Sequence, residues 1–359
     1  MADKSVTLYC RENGSDKLYK TEVSPEGSGF SVRCWWGPRS GTLQAGTKTK
    51  SPVSRDEALK IWEKLVREKK AKGYHEGEEA PAYTESDGTT KDTGLRPMLL
   101  TPASLDDAER FLEDRDWCAQ EKLNGKRIMI RARNGQVVAA NRRGLECAIP
   151  REIARALGRF NVVVDGEMVG STYVPFDLLE ADGKDYRKEG YGLRHRALLK
   201  VLGETRIKPI HAVAKPSSKR ELLKTLQARN AEGIVFKKLE GVGYLPGKVE
   251  NLAQARAVKV KFWRSGEFVV LGWNGGRQSV LLGAHDADGN VVPVGNVTVA
   301  PKHVWEVDVN RVVQVRYLYA TSGDQLYQPA LDDSSGSVWR KDKKPAECLI
   351  DQLIHEGQE

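Results

Sequence analysis

The chain has 359 residues, of which 40% are hydrophobic and 30% are charged. This length and composition predict two or three folded domains and exclude a disordered chain. No apolar run is long enough to span a membrane, and the first ten residues contain no apolar core of a secretory signal. The formal net charge of +8 favours polyanionic partners, nucleic acid first, with a solvated basic surface as the plain alternative.

Five cysteines indicate the compartment. They lie at positions 10, 34, 118, 147 and 348, and none forms a CxxC pair. An odd number of cysteines without metal-binding spacing is typical of reduced thiols. We therefore expect a cytosolic protein without a zinc site.

Residues 1–75 are predicted to form one small α+β domain. Three short strands are predicted in its first half, separated by the turn-forming runs NGSD and SPEGSG. The segment 54–74 then has apolar residues at helical spacing and basic residues at its end, which predicts one amphipathic helix. Residues 76–94 contain few apolar residues and many Gly, Glu, Thr and Pro, which is typical of a flexible linker.

A larger α+β domain is predicted over 95–263. Helices are predicted at 104–114, 190–202 and 217–230. Strands are predicted at 116–121, 127–133, 136–141, 162–169, 172–178, 233–238 and 257–263. Residues 264–359 are nearly all β in pattern, with short strands and glycine turns, which predicts a small barrel or sandwich.

Two Asn-Gly pairs, Asn124–Gly125 and Asn134–Gly135, interrupt the strands of the larger domain. Asn-Gly between alternating apolar residues predicts a tight hairpin turn, because both residues tolerate positive φ. The first pair differs from the second, since Lys122 stands just before it and a basic pair follows it. We therefore predict two hairpin turns, the first of which presents a reactive lysine.

Charged residues also interrupt strands that are otherwise apolar, namely Glu167, Glu232, Lys259 and Lys261. A buried charge must be paired or act as a ligand, because an uncompensated one is costly. A single such residue is ordinarily on a strand edge that faces solvent. Several in one domain, together with Lys122, indicate a site.

The order of these residues resembles the motifs of the covalent nucleotidyltransferases, which are the ATP-dependent DNA ligases, RNA ligases and mRNA capping enzymes. KLNGKR at 122–127 resembles the KxDGxR motif, and NRRG at 141–144 resembles the second arginine motif. VDGEMV, YVPFDLL, EGIVFKK and VKVK follow in the family's order. RKDK at 340–343 resembles the RxDK motif of a mobile oligonucleotide-binding (OB) domain. The resemblance implies a ligase-type nucleotidyltransferase domain followed by an OB-fold barrel.

The resemblance implies a role for each motif residue. Lys122 would attack the α-phosphate of ATP and become lysyl-AMP, helped by neighbouring cations such as Lys126 that favour the neutral amine. The residues implied in ATP binding are Glu121, Arg127, Arg142, Glu167, Phe176, Glu232 and Lys237, with Phe176 stacked on adenine. Glu167 and Glu232 would also hold Mg²⁺ or Mn²⁺. The residues implied in phosphate and pyrophosphate chemistry are Lys259, Lys261, Arg340, Asp342 and Lys343.

One position departs from the family pattern, because Asn124 stands where the family usually has Asp. Asn keeps the shape and one acceptor of Asp but lacks its charge. A DNA ligase is the first interpretation. An RNA or mixed-nick ligase, and a non-catalytic break-binding protein on a decayed ligase fold, are the alternatives.

The N-terminal domain resembles a WGR domain, with Trp36, Gly37 and Arg39 at the name motif and Pro38 inserted. In poly(ADP-ribose) polymerases such domains bind DNA breaks. The resemblance implies that Trp36 and Arg39 contact DNA, and that Trp35 is a core residue. Further predicted phosphate contacts are Lys48, Lys50, Lys69, Lys70, Lys72 and Arg194. We therefore expect a monomer that binds nicked duplex DNA, with no membrane and no protein partner.

Overall fold

The computed structural model describes residues 3–12, 15–39, 43–70, 74–76, 84, 91–203, 205–275 and 278–355. The chain divides into two compact units. The first unit contains Met1–Thr101, Leu123–Ala212 and Lys237–Ala257, and the second contains Pro102–Lys122, Val213–Phe236 and Val258–Glu359. The chain thus passes from one unit to the other directly after Lys122, the predicted nucleophile. The domain boundaries predicted from the sequence stay predictions.

The described elements mix α and β structure along the whole chain. The strands are β1 (Lys4–Glu12), β2 (Ser15–Glu26), β3 (Gly29–Pro38), β4 (Gln44–Thr47), β5 (Thr101–Ala103), β6 (Trp117–Glu121), β7 (Lys126–Arg133), β8 (Gln136–Asn141), β9 (Val162–Val169), β10 (Thr172–Ala181), β11 (Lys184–Asp185), β12 (Gly233–Lys238), β13 (Ala257–Lys261), β14 (Arg264–Trp273), β15 (Ser279–His285), β16 (Val291–Thr298), β17 (Val312–Tyr317) and β18 (Ala330–Leu331). The α-helices are α1 (Arg55–Lys70), α2 (Leu105–Glu113), α3 (Arg151–Leu157), α4 (Tyr191–Leu202) and α5 (Pro216–Ala228). This mixture confirms the predicted α+β class.

The N-terminal region is an antiparallel sheet covered by one helix. Strands β1 to β4 pair in chain order, and α1 packs against β2 and β3. Helix α1 buries Ala58, Trp62 and Leu65 in the core that it shares with the sheet. Acidic residues in its first turn and basic residues in its last turn suit the helix dipole. The helix predicted at 54–74 is confirmed over Arg55–Lys70.

The predicted linker at 76–94 lies mostly outside the described residues. Its described members bond to the chain that follows: the Thr84 N–H donates to the Ile149 carbonyl at 2.8 Å, and the Thr93 N–H donates to the Gly144 carbonyl at 2.9 Å. The carbonyl of Lys91 accepts from the Glu146 N–H at 2.8 Å. Residues 91–94 are therefore fixed beside the turn that follows β8.

The largest core of the first unit lies under an antiparallel sheet of order β11-β10-β9-β7-β8. Alternate residues of β7 and β9, such as Ile128, Ile130, Val162 and Val164, point into this core. Helix α4 packs on β10 and contributes Leu198. Helix α3, which the sequence did not predict, covers the same core.

The two Asn-Gly pairs have different structures. Asn134 and Gly135 have φ values of 49° and 82° and join the paired strands β7 and β8, so the second predicted hairpin is confirmed. The first prediction was wrong, because β6 and β7 belong to different sheets and neither Asn124 nor Gly125 has a positive φ. Gly125 is instead required by close packing, since an added Cβ would lie 2.4 Å from the carbonyl oxygen of Met168.

A second sheet has the order β5-β13-β12-β6, and α2 and α5 pack against β6. Helix α2 begins with a capping box, in which Ser104 and Asp107 exchange hydrogen bonds. The other end of α2 is bound by the buried Lys219 of α5. Its Nζ donates to the carbonyls of Phe111, Asp114 and Trp117 at 2.6, 2.6 and 3.0 Å.

The C-terminal region is an antiparallel sheet of order β16-β15-β14-β17-β18. Its core contains Phe268, Val270, Leu282 and Val313. Among the described strands, the edge strands β16 and β18 are not paired to each other. The closure of this sheet into an OB-fold barrel stays a prediction.

All five cysteines are buried, and none forms a disulfide, as predicted. Burial raises the pKa of the Cys147 thiol to about 12 and that of Cys348 to about 11, so both are protonated at neutral pH. Within the described ranges, no helix combines the length and the hydrophobicity that a membrane span requires.

Candidate active site

The first cluster of predicted residues, in the second unit, surrounds the carboxylate of Glu232. Lys122 directly follows β6, and its backbone N–H donates to the carbonyl of Gly233 at 2.9 Å. Its Nζ lies 2.6 Å from Oε2 of Glu232. Because the Glu232 side chain is only 3% exposed, its negative charge requires nearby cations.

Lys261 of β13 is the second cation at Glu232. Its Nζ lies 3.2 Å from Oε1 of Glu232 and 2.5 Å from Oε1 of Gln328. Glu232 therefore holds the predicted nucleophile and a predicted phosphate-binding lysine on its two oxygens. Lys259, two residues before Lys261 on the same face of β13, lines a cavity together with it.

The second cluster, in the first unit, is built on the buried carboxylate of Asp165. Nε and Nη2 of Arg127 each lie 2.5 Å from an oxygen of Asp165, and the hydroxyl of Tyr244 donates to it at 2.6 Å. Burial alone would lower the pKa of the Arg127 guanidinium, but the charge and hydrogen bonds of Asp165 raise that pKa above its usual value. Arg127 is therefore a fixed, permanent cation.

Phe176 lies between two cations of this cluster. Its ring centroid is 4.6 Å from Cζ of Arg127 and 4.5 Å from Nζ of Lys237. Burial lowers the pKa of Lys237 to about 8, although Asp177 at 3.8 Å opposes the shift. Two cations therefore lie beside the half-buried ring of Phe176, and they can attract a nucleotide that stacks on the ring.

Arg194, a predicted phosphate contact, is a core residue in this structure. Its guanidinium is 1% exposed and binds both oxygens of Asp177, at 2.7 and 3.1 Å. A guanidinium so placed orients Asp177, which in turn lies beside Lys237. The position argues against direct contact between Arg194 and DNA.

Three other residues were predicted to bind ATP, namely Glu167, Arg142 and Glu121. Glu167 is half-buried on β9, directly opposite Arg127 of β7. Arg142 is exposed on the turn after β8. Glu121 ends β6 in the second unit, where its carboxylate lies 2.5 Å from Nη2 of Arg229. Burial lowers the pKa of Lys126, although the charge of Asp16 opposes the shift.

The RxDK-like residues are held by a carboxylate that the sequence did not single out. Nη1 of Arg340 bonds to Glu267, and Nζ of Lys343 lies 3.5 Å from the same carboxylate. Nη2 of Arg340 also lies 2.8 Å from Asp342. In this conformation both basic residues of the motif are therefore engaged within the second unit.

The predicted DNA contacts of the N-terminal domain differ in exposure. Trp36 is half-buried against the core and stacks on Tyr19 with ring centroids 6.3 Å apart, whereas Trp35, predicted as the core residue, is outside that core. Arg39 is 6% exposed and lies over the ring of Tyr9 at 4.4 Å. The predicted contacts that are exposed are Lys48, Lys50 and Lys70, while Lys69 is half-buried and Lys72 lies outside the described residues.

Three carboxylates that position the site were not predicted: Asp165, Asp177 and Glu267. Asp165 and Asp177 interrupt apolar strands just as Glu167 does. The same pattern therefore indicates them as buried charges that need partners. Glu267 has no comparable signal, because its partners come from a distant part of the sequence.

The fold and the sequence are similar to those of known proteins. Residues 4–81 match the WGR domain family, which confirms the resemblance of the N-terminal domain. A solved structure from a study of Lig E DNA ligases has a TM-score of 0.51 and 13% identity, and the match covers 68% of this chain and 99% of that one. At this identity the match establishes a ligase-type fold and no more.

Two relatives are similar in sequence. The multifunctional non-homologous end joining protein LigD of Mycolicibacterium smegmatis is 29% identical over 212 residues, which are 51% of this chain and 26% of that protein. A probable DNA ligase of Streptomyces coelicolor is 27% identical over 264 residues, which are 65% of this chain and 50% of that protein. The matched regions thus span a quarter and a half of these relatives. The chain combines a WGR domain with a region similar to DNA ligases.

Proposed function

We propose that this protein is an ATP-dependent polynucleotide ligase that seals nicks with a 5′-phosphate and a 3′-hydroxyl in duplex DNA. The observation that carries the proposal is the carboxylate of Glu232, which holds Lys122 and Lys261 at 2.6 and 3.2 Å. One lysine would attack a phosphate while the other balances the charge on its oxygens. Similarity to DNA ligases supports the same conclusion.

In the first step, Nζ of Lys122 would form a bond to the α-phosphorus of ATP. The bond from that phosphorus to the bridging oxygen breaks, and pyrophosphate leaves. Lys122 must lose a proton to expose its lone pair, and Oε2 of Glu232 at 2.6 Å is within the reach that a general base needs. The nitrogen of lysyl-AMP carries no positive charge, so its attraction to Glu232 ends with this step.

The nucleotide would be held by the cluster around Phe176. The ring would stack on adenine, and Arg127 is already fixed by Asp165 before any ligand binds. A lysine with a pKa of about 8, such as Lys237, is mostly protonated at neutral pH and would attract phosphate. Arg142 and Glu121 are assigned to nucleotide contacts by the motif resemblance.

Magnesium would be held by carboxylates, which are the ligands it prefers. The motif resemblance assigns this role to Glu167 of the first unit and to Glu232 of the second. Both oxygens of Glu232 contact lysines here, so its ligand role fits best once Lys122 has become lysyl-AMP. No group of three or more potential metal ligands occurs in the described part of the chain. When bound, the metal would neutralise phosphate charge.

The later steps would transfer AMP to the DNA and then release it. The 5′-phosphate attacks the phosphorus of lysyl-AMP and frees Lys122, and the 3′-hydroxyl then displaces AMP to form the phosphodiester. Arg340 and Lys343 would assist the first step only after they leave Glu267. The WGR domain would find the nick in the cytosol through exposed lysines such as Lys48 and Lys50, and tethering would raise the local concentration of DNA.

The test is to incubate the protein with α-labelled ATP and magnesium, and to separate it on a denaturing gel. We expect a labelled band that is lost in Lys122→Ala and kept in Lys224→Ala, which removes an exposed lysine of the same unit that has no assigned role. A wild-type protein that is never labelled, but shifts nicked DNA on a native gel, would refute the ligase and support the non-catalytic alternative.

An RNA or mixed-nick ligase is the second candidate, and Asn124 favours it. Four nicked duplexes, with DNA or RNA on each side of the nick, separate the candidates. Preference for an RNA strand with the 3′-hydroxyl would replace the DNA proposal. If Asn124→Asp then changes the preference from RNA to DNA, residue 124 determines which strand the protein prefers.

A further inference from the structure

The second unit contains a cavity of about 820 Å³ that Lys259 and Lys261 line. Trp263, Arg264 and Arg316 line the same cavity. Arg264 begins β14, and Arg316 lies on the paired strand β17, opposite Ser265. The two arginines therefore approach the cavity from neighbouring strands, beyond the residues to which the ligase motifs assign a role.

Trp263 is an exposed aromatic side chain in the wall of this cavity. Its indole is 39% exposed, and two cations approach it: Nζ of Lys261 at 5.1 Å and Cζ of Arg316 at 5.0 Å from the ring centroid. An accessible aromatic ring beside a basic groove is the combination that binds nucleic-acid strands, because the ring stacks on a base and the cations bind phosphates.

The charges around Trp263 favour an anionic ligand. Arg316 is exposed, and Arg264 bonds through Nη2 to Asn230. The Nε of Arg264 is buried and has no hydrogen-bond partner among the described residues. Among the described residues that line the cavity, Asp107 alone is acidic, and its carboxylate is already engaged in the capping box of α2.

We infer that this cavity is a nucleic-acid contact, in which Trp263 stacks on the base exposed at the break in the nicked strand and Arg316, with Arg264, binds an adjacent phosphodiester. The identification of the ligand as a polynucleotide rests on the proposed function. A strand that occupied this position would also reach Lys259 and Lys261, so the contact would guide the nick toward the lysines that handle phosphate.

The experiment measures binding of a fluorescent nicked duplex to the full-length protein by anisotropy, over a range of salt concentrations. Trp263→Ala should weaken binding about 5- to 150-fold, as expected for the loss of one stacked base, and Trp263→Phe should restore part of the affinity. Arg316→Gln should reduce the slope of log K against log salt by about 0.9, as expected for one lost phosphate contact.

Matched controls are available in the same unit. Trp273 is 41% exposed and lies outside the cavity, so Trp273→Ala removes a similarly exposed indole and should leave affinity unchanged. Lys224→Gln removes one exposed charge of α5 that is not among the lining residues of the cavity, and it should leave the salt slope nearly intact. Labelling by ATP and the melting temperature should be unchanged in Trp263→Ala, which confirms that the variant is folded.

Two results would overturn the inference. One is that Trp263→Ala binds DNA as tightly as Trp273→Ala does. The other is that Trp263→Ala raises the ATP concentration needed for labelling without affecting DNA binding, which would assign the cavity to the nucleotide. Failure of the proposed function has a different signature, since the wild type would then remain unlabelled while Trp263→Ala still lost DNA affinity.

Discussion

Replacement of Lys219 by methionine should destabilise the second unit strongly. The Lys219 side chain is fully buried, and its ammonium donates to three backbone carbonyls at 2.6–3.0 Å. Phe111 and Asp114 lie at the C-terminal end of α2, where carbonyls lack partners within the helix. Lys219, on the neighbouring helix α5, therefore caps the C-terminal end of α2.

The expected loss of stability in Lys219→Met follows from these three hydrogen bonds. Hydrogen bonds from a charged group contribute about 1.5–3 kcal/mol each, and several kcal/mol are lost again to the desolvation of the ammonium. Methionine retains the length and the apolar stem but leaves three carbonyls unbonded. We expect the free energy of unfolding to fall by about 3–5 kcal/mol, which corresponds to about 6–20 °C in melting temperature for a unit of 150–250 residues.

The assay is urea unfolding followed by circular dichroism, with hydrogen exchange to locate the change. Protection should be lost first in α2 of Lys219→Met. Lys224→Met is the matched control, since Lys224 is exposed on the same helix and its replacement should cost little. A loss below about 1 kcal/mol, or a loss equal to that of the control, would show that the three bonds only offset the burial of the charge.

Three further predictions concern the site. Glu232→Gln removes the carboxylate that holds Lys122 and Lys261. The single-turnover rate of labelling by ATP should therefore fall about 10²- to 10⁴-fold. An unchanged rate would exclude Glu232 as the general base. Asp165→Asn leaves Arg127 buried without its carboxylate, and unfolding free energy should fall by about 3–5 kcal/mol, whereas a stability equal to that of the wild type by urea titration would contradict the pairing. Lys237 has a folded pKa of about 8, below its unfolded value, so above pH 8 the unfolded chain binds more protons and stability rises with pH. The stability of the wild type relative to Lys237→Met should therefore increase from pH 8 to pH 10 in urea titrations, and a constant difference would refute the shift.

The strands were predictable from the sequence because their alternation is local. The predicted bounds of β8 and β9 agree with the structure, in which β8 is partly buried and β9 is a nearly continuous buried run. The Asn124–Gly125 turn was not predictable from the same local signal as Asn134–Gly135. What distinguishes the two is the sheet that the preceding strand joins, which depends on residues far away in the chain. Helix α3 has no clear signal in the sequence, because it is short and its N-cap, Pro150, makes no side-chain capping bond.

The candidate site was predictable to a similar extent. Lys122, Glu232 and Lys261 stand out as charges next to apolar strands, and the structure brings them into contact. Their order gave the roles, but pairing could not be predicted, because a sequence does not show which carboxylate faces which cation. Arg194 illustrates this limit, since a basic residue on a helix has the same pattern whether it faces solvent or Asp177.

The buried cysteines can serve as intrinsic probes of local unfolding. Cys34 lies in the N-terminal core, Cys147 in the core beneath β7 and β9, and Cys348 in the second unit. A thiol reagent can reach each of them only when the surrounding structure opens. Mass spectrometry of alkylated peptides would therefore measure three local opening equilibria in one sample, without an introduced probe, and would show whether a bound nick tightens the WGR domain, the nucleotide cluster or the C-terminal sheet.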